Sequence, residues 1–479
     1  MKKLLVAILL SVGSSSLARA QTPLPGVKLP TTSEQGVADS LKSESTSLAD
    51  KSARPGVSAA YREAIEALAA CFALRNAGKT EEAKKKAEEV LRLLPNPRDY
   101  GEFYVSGLAQ QELGNDDAAL AGFNKSIQLN PRWGIVYYSR GKALVAKGSY
   151  DRAIADLDKS IQLKPELQDA YFQRANAHFH KSDLDRAIAD LDKVIQLKPQ
   201  DVDGYYTLRA IAFAAKGDND RAIADFDKAI KLKPEDADIY SYRGSIYADK
   251  GDHDRAIADF DGAIRLDPKL TDAYLGRGKV YSKKGDRERA LADFDKVVEL
   301  DPRQRDAYDY RGYLYFVKGD ADRALADFDK SIELGPPEAA PYFYRACIYS
   351  GRREYDRAIA DFDKVVQLAP PRMVVHAHYN RGIAYAGKGD YDRALADFDR
   401  VIKLKPSNAD PYLSRGDAYS SKGDYGRAID DYSEAIRREP ASARAYQNRA
   451  KAYEKTGESA KAQADREKAA VLEKQSKKQ

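Results

Sequence analysis

Between Pro95 and Pro440 the chain alternates two helical patterns of apolar residues, and proline closes each round. The prolines stand at Pro95, Pro131, Pro165, Pro199, Pro234, Pro268, Pro302, Pro336, Pro370, Pro406 and Pro440; seven of the ten intervals are 34 residues and the others 35 or 36. A fixed period in this range marks stacked supersecondary units. In the copy running from Asp272 to Pro302, Tyr274, Arg277, Gly278 and Tyr281 are spaced as one face of a helix. Gly285 breaks that helix as a C-cap. A second face follows in Ala290, Leu291, Phe294, Val297 and Val298, and it stops before Pro302, which cannot continue a helix. Asp272 stands where the N-cap of the first helix is expected. The connection is only a few residues long, so the two helices are predicted to be antiparallel neighbours.

Two positions of the repeat have a mechanical reading. The residue after the arginine is Gly141, Ala175, Ala210, Gly244, Gly278, Gly312, Ala346, Gly382, Gly416 or Ala450, never larger than a methyl. Such a site lets two helix axes approach to roughly 8 Å, which offsets the roughly 1 kcal/mol that glycine costs against alanine in a helix. The arginine itself is Arg140, Arg174, Arg209, Arg243, Arg277, Arg311, Arg345, Arg381, Arg415 or Arg449. Across the hairpin from it lie paired acids two apart, from Asp156 and Asp158 to Asp397 and Asp399. A partly buried guanidinium needs a carboxylate, so one Arg–Asp contact per unit is predicted. Chelation of one metal by such a pair is disfavoured, because residues two apart on a helix point roughly 200° apart.

On these residues the array resembles the tetratricopeptide-repeat family. Tyr274, Gly278, Tyr281, Ala290, Phe294, Val297 and Pro302 match the family's large aromatic, small residue, second aromatic and closing positions. The arginine departs from it, since the family often carries an aliphatic residue there. The resemblance implies an all-α fold: an α-solenoid, a right-handed superhelix of about twelve helix-turn-helix units whose first helices line a concave groove. The array is expected over residues 58–475. It comprises a degenerate first unit at 64–97, regular units at 100–442 and a capping unit at 443–475, in which Arg466 replaces the aromatic.

The N-terminus has a different character. Lys2 and Lys3 precede an apolar run from Leu4 to Val12 and a small-x-small triplet, Ala18-Arg19-Ala20. This reads as a signal peptide over 1–20, cleaved after Ala20, and hence as a periplasmic or secreted protein. The run is shorter than the ~20 residues of a membrane span. Residues 21–57, rich in Pro, Ser and Thr, read as a flexible linker. The whole chain of 479 residues carries 79 Lys plus Arg against 74 Asp plus Glu, net +5. Removal of Lys2, Lys3 and Arg19 leaves +2, so a nucleic-acid partner is not expected. The two cysteines, Cys71 and Cys347, fall in distant repeats and read as separate packed thiols.

No cofactor, metal or catalytic residue is indicated. The pairs His178/His180 and His376/His378 have i, i+2 spacing, which does not place two ligands on one helix face. Phosphate-loop, dinucleotide-binding, nucleophile-elbow and zinc-protease motifs are lacking, and repeats occupy nearly the whole mature chain. A non-enzyme is therefore expected. The candidate binding residues are first-helix aromatics outside the repeated core positions: Tyr138, Phe172, Tyr242, Tyr310, Tyr313, Phe316, Phe343, Tyr344 and Tyr379, densest from Tyr310 to Tyr379. Tyrosine offers stacking area with a polar tip, suited to peptide or sugar. Asn176 and Asn380 do not belong to a consecutive Lys/Asn set of the kind that some members use to clamp a carboxylate. The expected function is an exported protein-interaction scaffold that holds extended peptides or envelope proteins in its groove. The alternatives are a scaffold of polysaccharide assembly contacting glycan, or an accessory arm of a catalytic partner chain. Two extra residues between Pro370 and Pro406 predict a local irregularity in the stack.

Overall fold

The computed structural model describes residues 59–197 and 202–476; the expected signal peptide, its cleavage site, the linker and Pro199 lie outside them. Among the described residues every regular element is an α-helix, and the chain divides into two units between Leu270 and Thr271. The first unit holds six hairpins: α1 (Ala59–Asn76) with α2 (Thr80–Leu93), α3 (Tyr100–Glu112) with α4 (Asp116–Leu129), α5 (Gly134–Ala146) with α6 (Tyr150–Leu163), α7 (Gln168–His180) with α8 (Leu184–Gln196), α9 (Val202–Ala215) with α10 (Asn219–Leu232), and α11 (Ala237–Asp249) with α12 (His253–Leu266). The second unit holds six more: α13 (Thr271–Lys284) with α14 (Arg287–Leu300), α15 (Arg305–Lys318) with α16 (Ala321–Leu334), α17 (Ala339–Gly351) with α18 (Tyr355–Leu368), α19 (Pro371–Lys388) with α20 (Tyr391–Leu404), α21 (Asp410–Ser421) with α22 (Tyr425–Arg438), and α23 (Ala443–Lys455) with α24 (Ser459–Ser476). Within each unit the hairpins stack in chain order, and successive first helices touch, as α5 touches α7 and α15 touches α17. This is an α-solenoid.

The pattern that builds a hairpin is visible in α13 and α14. Ala290, Asp293, Phe294 and Val297 form the buried stripe of α14, spaced three, one and three apart. Phe294 meets α13 at Gly278, where a Cβ would lie 2.8 Å from its ring, so glycine is what permits the approach. Gly285, at φ +83°, turns the chain. The N-cap differs from expectation. Asp272 lies inside the first turn of α13, and the capping aspartate is the one that follows the turn glycine and caps the second helix. Asp286 accepts a hydrogen bond from the Arg289 amide at 3.2 Å and another from Arg289 Nε at 2.5 Å, while that guanidinium sits 4.5 Å above the Tyr281 ring. The same cap recurs at Asp218, Asp252, Asp320, Asp390 and Asp424.

The buried stripe contains a charge, and the arginine answers it. All ten ladder arginines bind both oxygens of the buried aspartate on their own second helix, from Arg140 with Asp156 to Arg449 with Asp465. The second aspartate of seven of the eight pairs serves the next hairpin, as when Arg174 reaches back to Asp158, Arg311 to Asp295 and Arg415 to Asp399. These Asp-x-Asp pairs are thus divided between two arginines, and the ladder ties hairpin to hairpin.

The two extra residues after Pro370 do not interrupt this order. They lengthen α19 to 18 residues, with Pro371 in its first turn. Arg381 still reaches both Asp363 behind it and Asp397 beside it. The expected irregularity takes the form of a longer helix: the added turn packs through buried Met373, and the ladder contacts of Arg381 stay in register. Cys71 is buried in the first unit and Cys347 half-buried in the second; both thiols are free and are pushed up to about 12 by burial.

Candidate functional site

The first helices contribute one face to the hairpin core and leave another for contact. The nine aromatics singled out above divide between these roles. Tyr138 and Phe172 are buried in the first unit, with Phe172 edge-on to Tyr205 at 5.4 Å. Phe343 and Tyr344 are buried in the second. The other five, Tyr242, Tyr310, Tyr313, Phe316 and Tyr379, are half-buried. Tyr242 stacks on Phe226 at 6.2 Å and Tyr310 on Phe294 at 5.6 Å, each ring covering the second helix of the preceding hairpin.

Four of the nine converge. On α15 and α17, Tyr313 and Phe316 each lie 5.3 Å from Tyr344, and Tyr344 lies 5.7 Å from Phe343. Buried Tyr344 and Phe343 form the floor; Tyr313 and Phe316 keep part of their rings in solvent. Burial holds the Tyr313 phenol above its ordinary value, so it stays protonated and able to donate. Tyr379, on α19, packs 6.0 Å from Phe398 and shares a hydrogen bond with Ser414 at 3.2 Å.

Polar pairs join neighbouring first helices on the same face. One partner follows the small residue and the other lies in the first turn of the next first helix. Lys279 stands 3.6 Å from Asp306 and also 4.7 Å over the Tyr310 ring. In the first unit the pair is Lys142 and Asp169: burial pushes the Asp169 carboxyl up to about 6 and Lys142 draws it back down. In the last hairpins the signs are exchanged. Asp417 accepts from Arg444 at 2.7 Å, and also from Asn448 at 2.8 Å and the Tyr432 hydroxyl at 2.9 Å. Arg444 and Asn448 stand four apart on α23, as in a carboxylate clamp, and the carboxylate they hold is the chain's own.

The histidines serve packing. His378 Nδ1 lies 2.8 Å from Asp397 on the ladder, and His180 stacks on Tyr150 at 4.8 Å. Among the described residues no group of three or more His, Cys, Asp or Glu side chains could hold a metal, and no helix is long and apolar enough to cross a membrane. Sequence reasoning overlooked Cys347 and Ile383, which share the position of Tyr313 after the small residue; the search was confined to aromatics, and register alone would have found them.

Comparison with known proteins decides the family. Tetratricopeptide-repeat models match residues 138–202, 207–270 and 275–339, residues 375–408, and residues 339–372 and 443–474, and a TPR-repeat model matches 416–457. The chain belongs to the tetratricopeptide-repeat family. Among solved structures it is similar to YrrB, a TPR protein with an unusual peptide-binding site, at 26% identity over 39% of this chain and 95% of that one, TM-score 0.37. It is similar to the Cut9–Hcn1 hetero-tetramer of APC/C at 17% identity over 82% and 84%, TM-score 0.39. A tetratricopeptide-repeat protein from Parabacteroides merdae ATCC 43184 gives 21% identity over 52% and 97%, TM-score 0.36. No curated protein matches the chain. In this tetratricopeptide-repeat chain the ten-arginine ladder joins the repeats.

Proposed function

We propose that this protein is an exported, non-catalytic scaffold that binds extended peptide segments or envelope proteins along its first helices. Membership of the tetratricopeptide-repeat family supports a protein-interaction scaffold. The observation that carries the site is the aromatic cluster of α15 and α17, where Tyr313 and Phe316 stay partly in solvent over a buried floor of Phe343 and Tyr344. A core that needed only to be filled would bury all four; two half-open rings on a rigid base make contact area whose ordering cost is already met. The export reading rests on Lys2, Lys3, the apolar run that follows and Ala18-Arg19-Ala20.

The test is a photocrosslinking amino acid at Tyr313 in the full chain, expressed in cells and read by mass spectrometry. A discrete protein adduct, missing when the same group is placed at Leu404 on the outer end of α20, is the expected result. Identical adducts from both positions, or none from Tyr313, would refute the scaffold reading. N-terminal sequencing of the mature chain is expected to begin at Gln21.

A further inference from the structure

Seven large apolar side chains are largely exposed among the described residues: Leu129, Leu232, Leu266, Leu368, Leu404, Val471 and Ile383. Six of them lie on second helices. Ile383, at 39% exposure, alone lies on a first helix, directly after the small residue Gly382 of α19. In the two preceding hairpins the same position holds Tyr313 and Cys347, both half-buried. Three successive first helices therefore present an uncharged side chain in one register. On either side the same position is charged and already occupied: Lys279 by Asp306 before it, Asp417 by Arg444 after it.

This interval is bounded in charge as well. Asp410, in the first turn of α21, is exposed. Asp410 stands in α21 where Asp306 stands in α15: Asp306 meets Lys279, 27 residues before it, and the residue 27 before Asp410 is Ile383, so the register sets Asp410 at the far edge of the strip. Asp417 has three donors of its own; Asp410 forms no ion pair among the described residues.

The spacing selects an occupant. Neighbouring packed helices lie roughly 10 Å apart, so Tyr313, Cys347 and Ile383 are separated by two steps of that size. An extended chain advances about 3.1 Å per residue as polyproline II and about 3.3 Å as a strand, so each step is about three residues. In a strand the third residue faces the opposite side; polyproline II, with three residues a turn, returns it to the same side. We infer that the strip of Tyr313, Cys347 and Ile383 binds a polyproline-II segment with an apolar side chain at every third position, and that Asp410 takes a Lys or Arg at one end of it. The inference rests on the scaffold reading and specifies the ligand class of that face.

The experiment measures fluorescence polarisation of the full chain with labelled synthetic nonapeptides. One set carries leucine at positions 2, 5 and 8 with prolines between and arginine at position 1 or 9. A second has the same composition with the leucines contiguous, and a third ends in glutamate. The spaced, arginine-ended peptide should bind about tenfold or more tightly than the others. Ile383→Asp should abolish that preference, Leu404→Asp should leave it unchanged, and Asp410→Lys should turn it toward glutamate. Thermal melting followed by circular dichroism verifies that each variant is folded. Equal binding of spaced and contiguous peptides, or indifference to Ile383→Asp, would overturn the inference. If no peptide binds while the Tyr313 crosslink still captures a protein, this ligand class is wrong and the scaffold reading stands; if both are empty, both fall.

Discussion

Arg345 Nε and Nη2 each donate to an oxygen of Asp361 at 2.7 Å, a parallel pair of hydrogen bonds between the two helices of one hairpin. The same guanidinium donates at 2.6 Å to Asp329 of the preceding hairpin. The Asp361 side chain is 8% exposed and that of Asp329 55%, so the two contacts differ in worth. Arg345→Ala leaves a buried carboxylate alone and should cost about 3 kcal/mol or more. Asp329→Ala should cost about 1 kcal/mol or less. Urea unfolding of the two variants checks the ranking, and equal effects would remove the ladder from the account of stability.

Two glycines should respond to alanine with opposite sign. At Gly382 a Cβ would lie 2.8 Å from the Phe398 ring, a contact that forces a shift. Gly382→Ala should lower stability by about 1–2 kcal/mol even after the gain in helix propensity. At Gly262, in the middle of α12, the nearest atom to a Cβ is 3.5 Å away on Tyr240. Gly262→Ala should raise stability by about 0.5–1 kcal/mol. Denaturant midpoints distinguish the two.

Asp286 caps α14, and the amide and guanidinium of Arg289 hold its carboxyl below the ordinary aspartate value. A depressed carboxylate contributes stability above the pKa of the unfolded chain, near 4, and loses it as pH falls through its own lower value. Asp286→Asn should preserve the cap and flatten this acid-side dependence. Asp286→Ala should lower Tm at neutral pH, by less than Arg345→Ala does. Melting curves from pH 7 to 3 test both statements.

Asp309, on α15, runs the other way. Its carboxylate accepts from the Ser331 hydroxyl at 2.5 Å, yet burial pushes it up to about 6. With the folded value above the unfolded one, its contribution is fully present below about pH 4 and is lost as pH rises through about 6. Asp309→Asn, which resembles the protonated form, should therefore gain on wild type at pH 7 and lose that advantage as pH falls to about 4. A pH-independent difference would refute this assignment.

The hairpin period, the small residue of each first helix and the pairing of Arg277 with an aspartate on α14 were legible because each is a short-range constraint written at fixed spacing. The family resemblance rests on the same residues. Asp272, expected as the first-helix N-cap, stands inside the first turn of α13, while Asp286 caps α14; both aspartates lie at helix starts, and only backbone geometry reveals which one receives an amide. The insertion after Pro370 was expected to disturb the stack; whether it does depends on where an added turn can project, which spacing does not encode.

The sequence by itself determined the repeat, the buried stripe of each helix and the chemistry of the ladder, since every copy must solve the same local packing problem. Only the tertiary structure decided that Asp-x-Asp pairs are divided between two arginines, that Tyr138 and Phe172 are core while Tyr313 stays half-open, and that Ile383 stands exposed. Those outcomes depend on what the neighbouring hairpin places opposite each residue. That information is spread over positions some thirty-four residues apart, and chain folding alone brings them into contact.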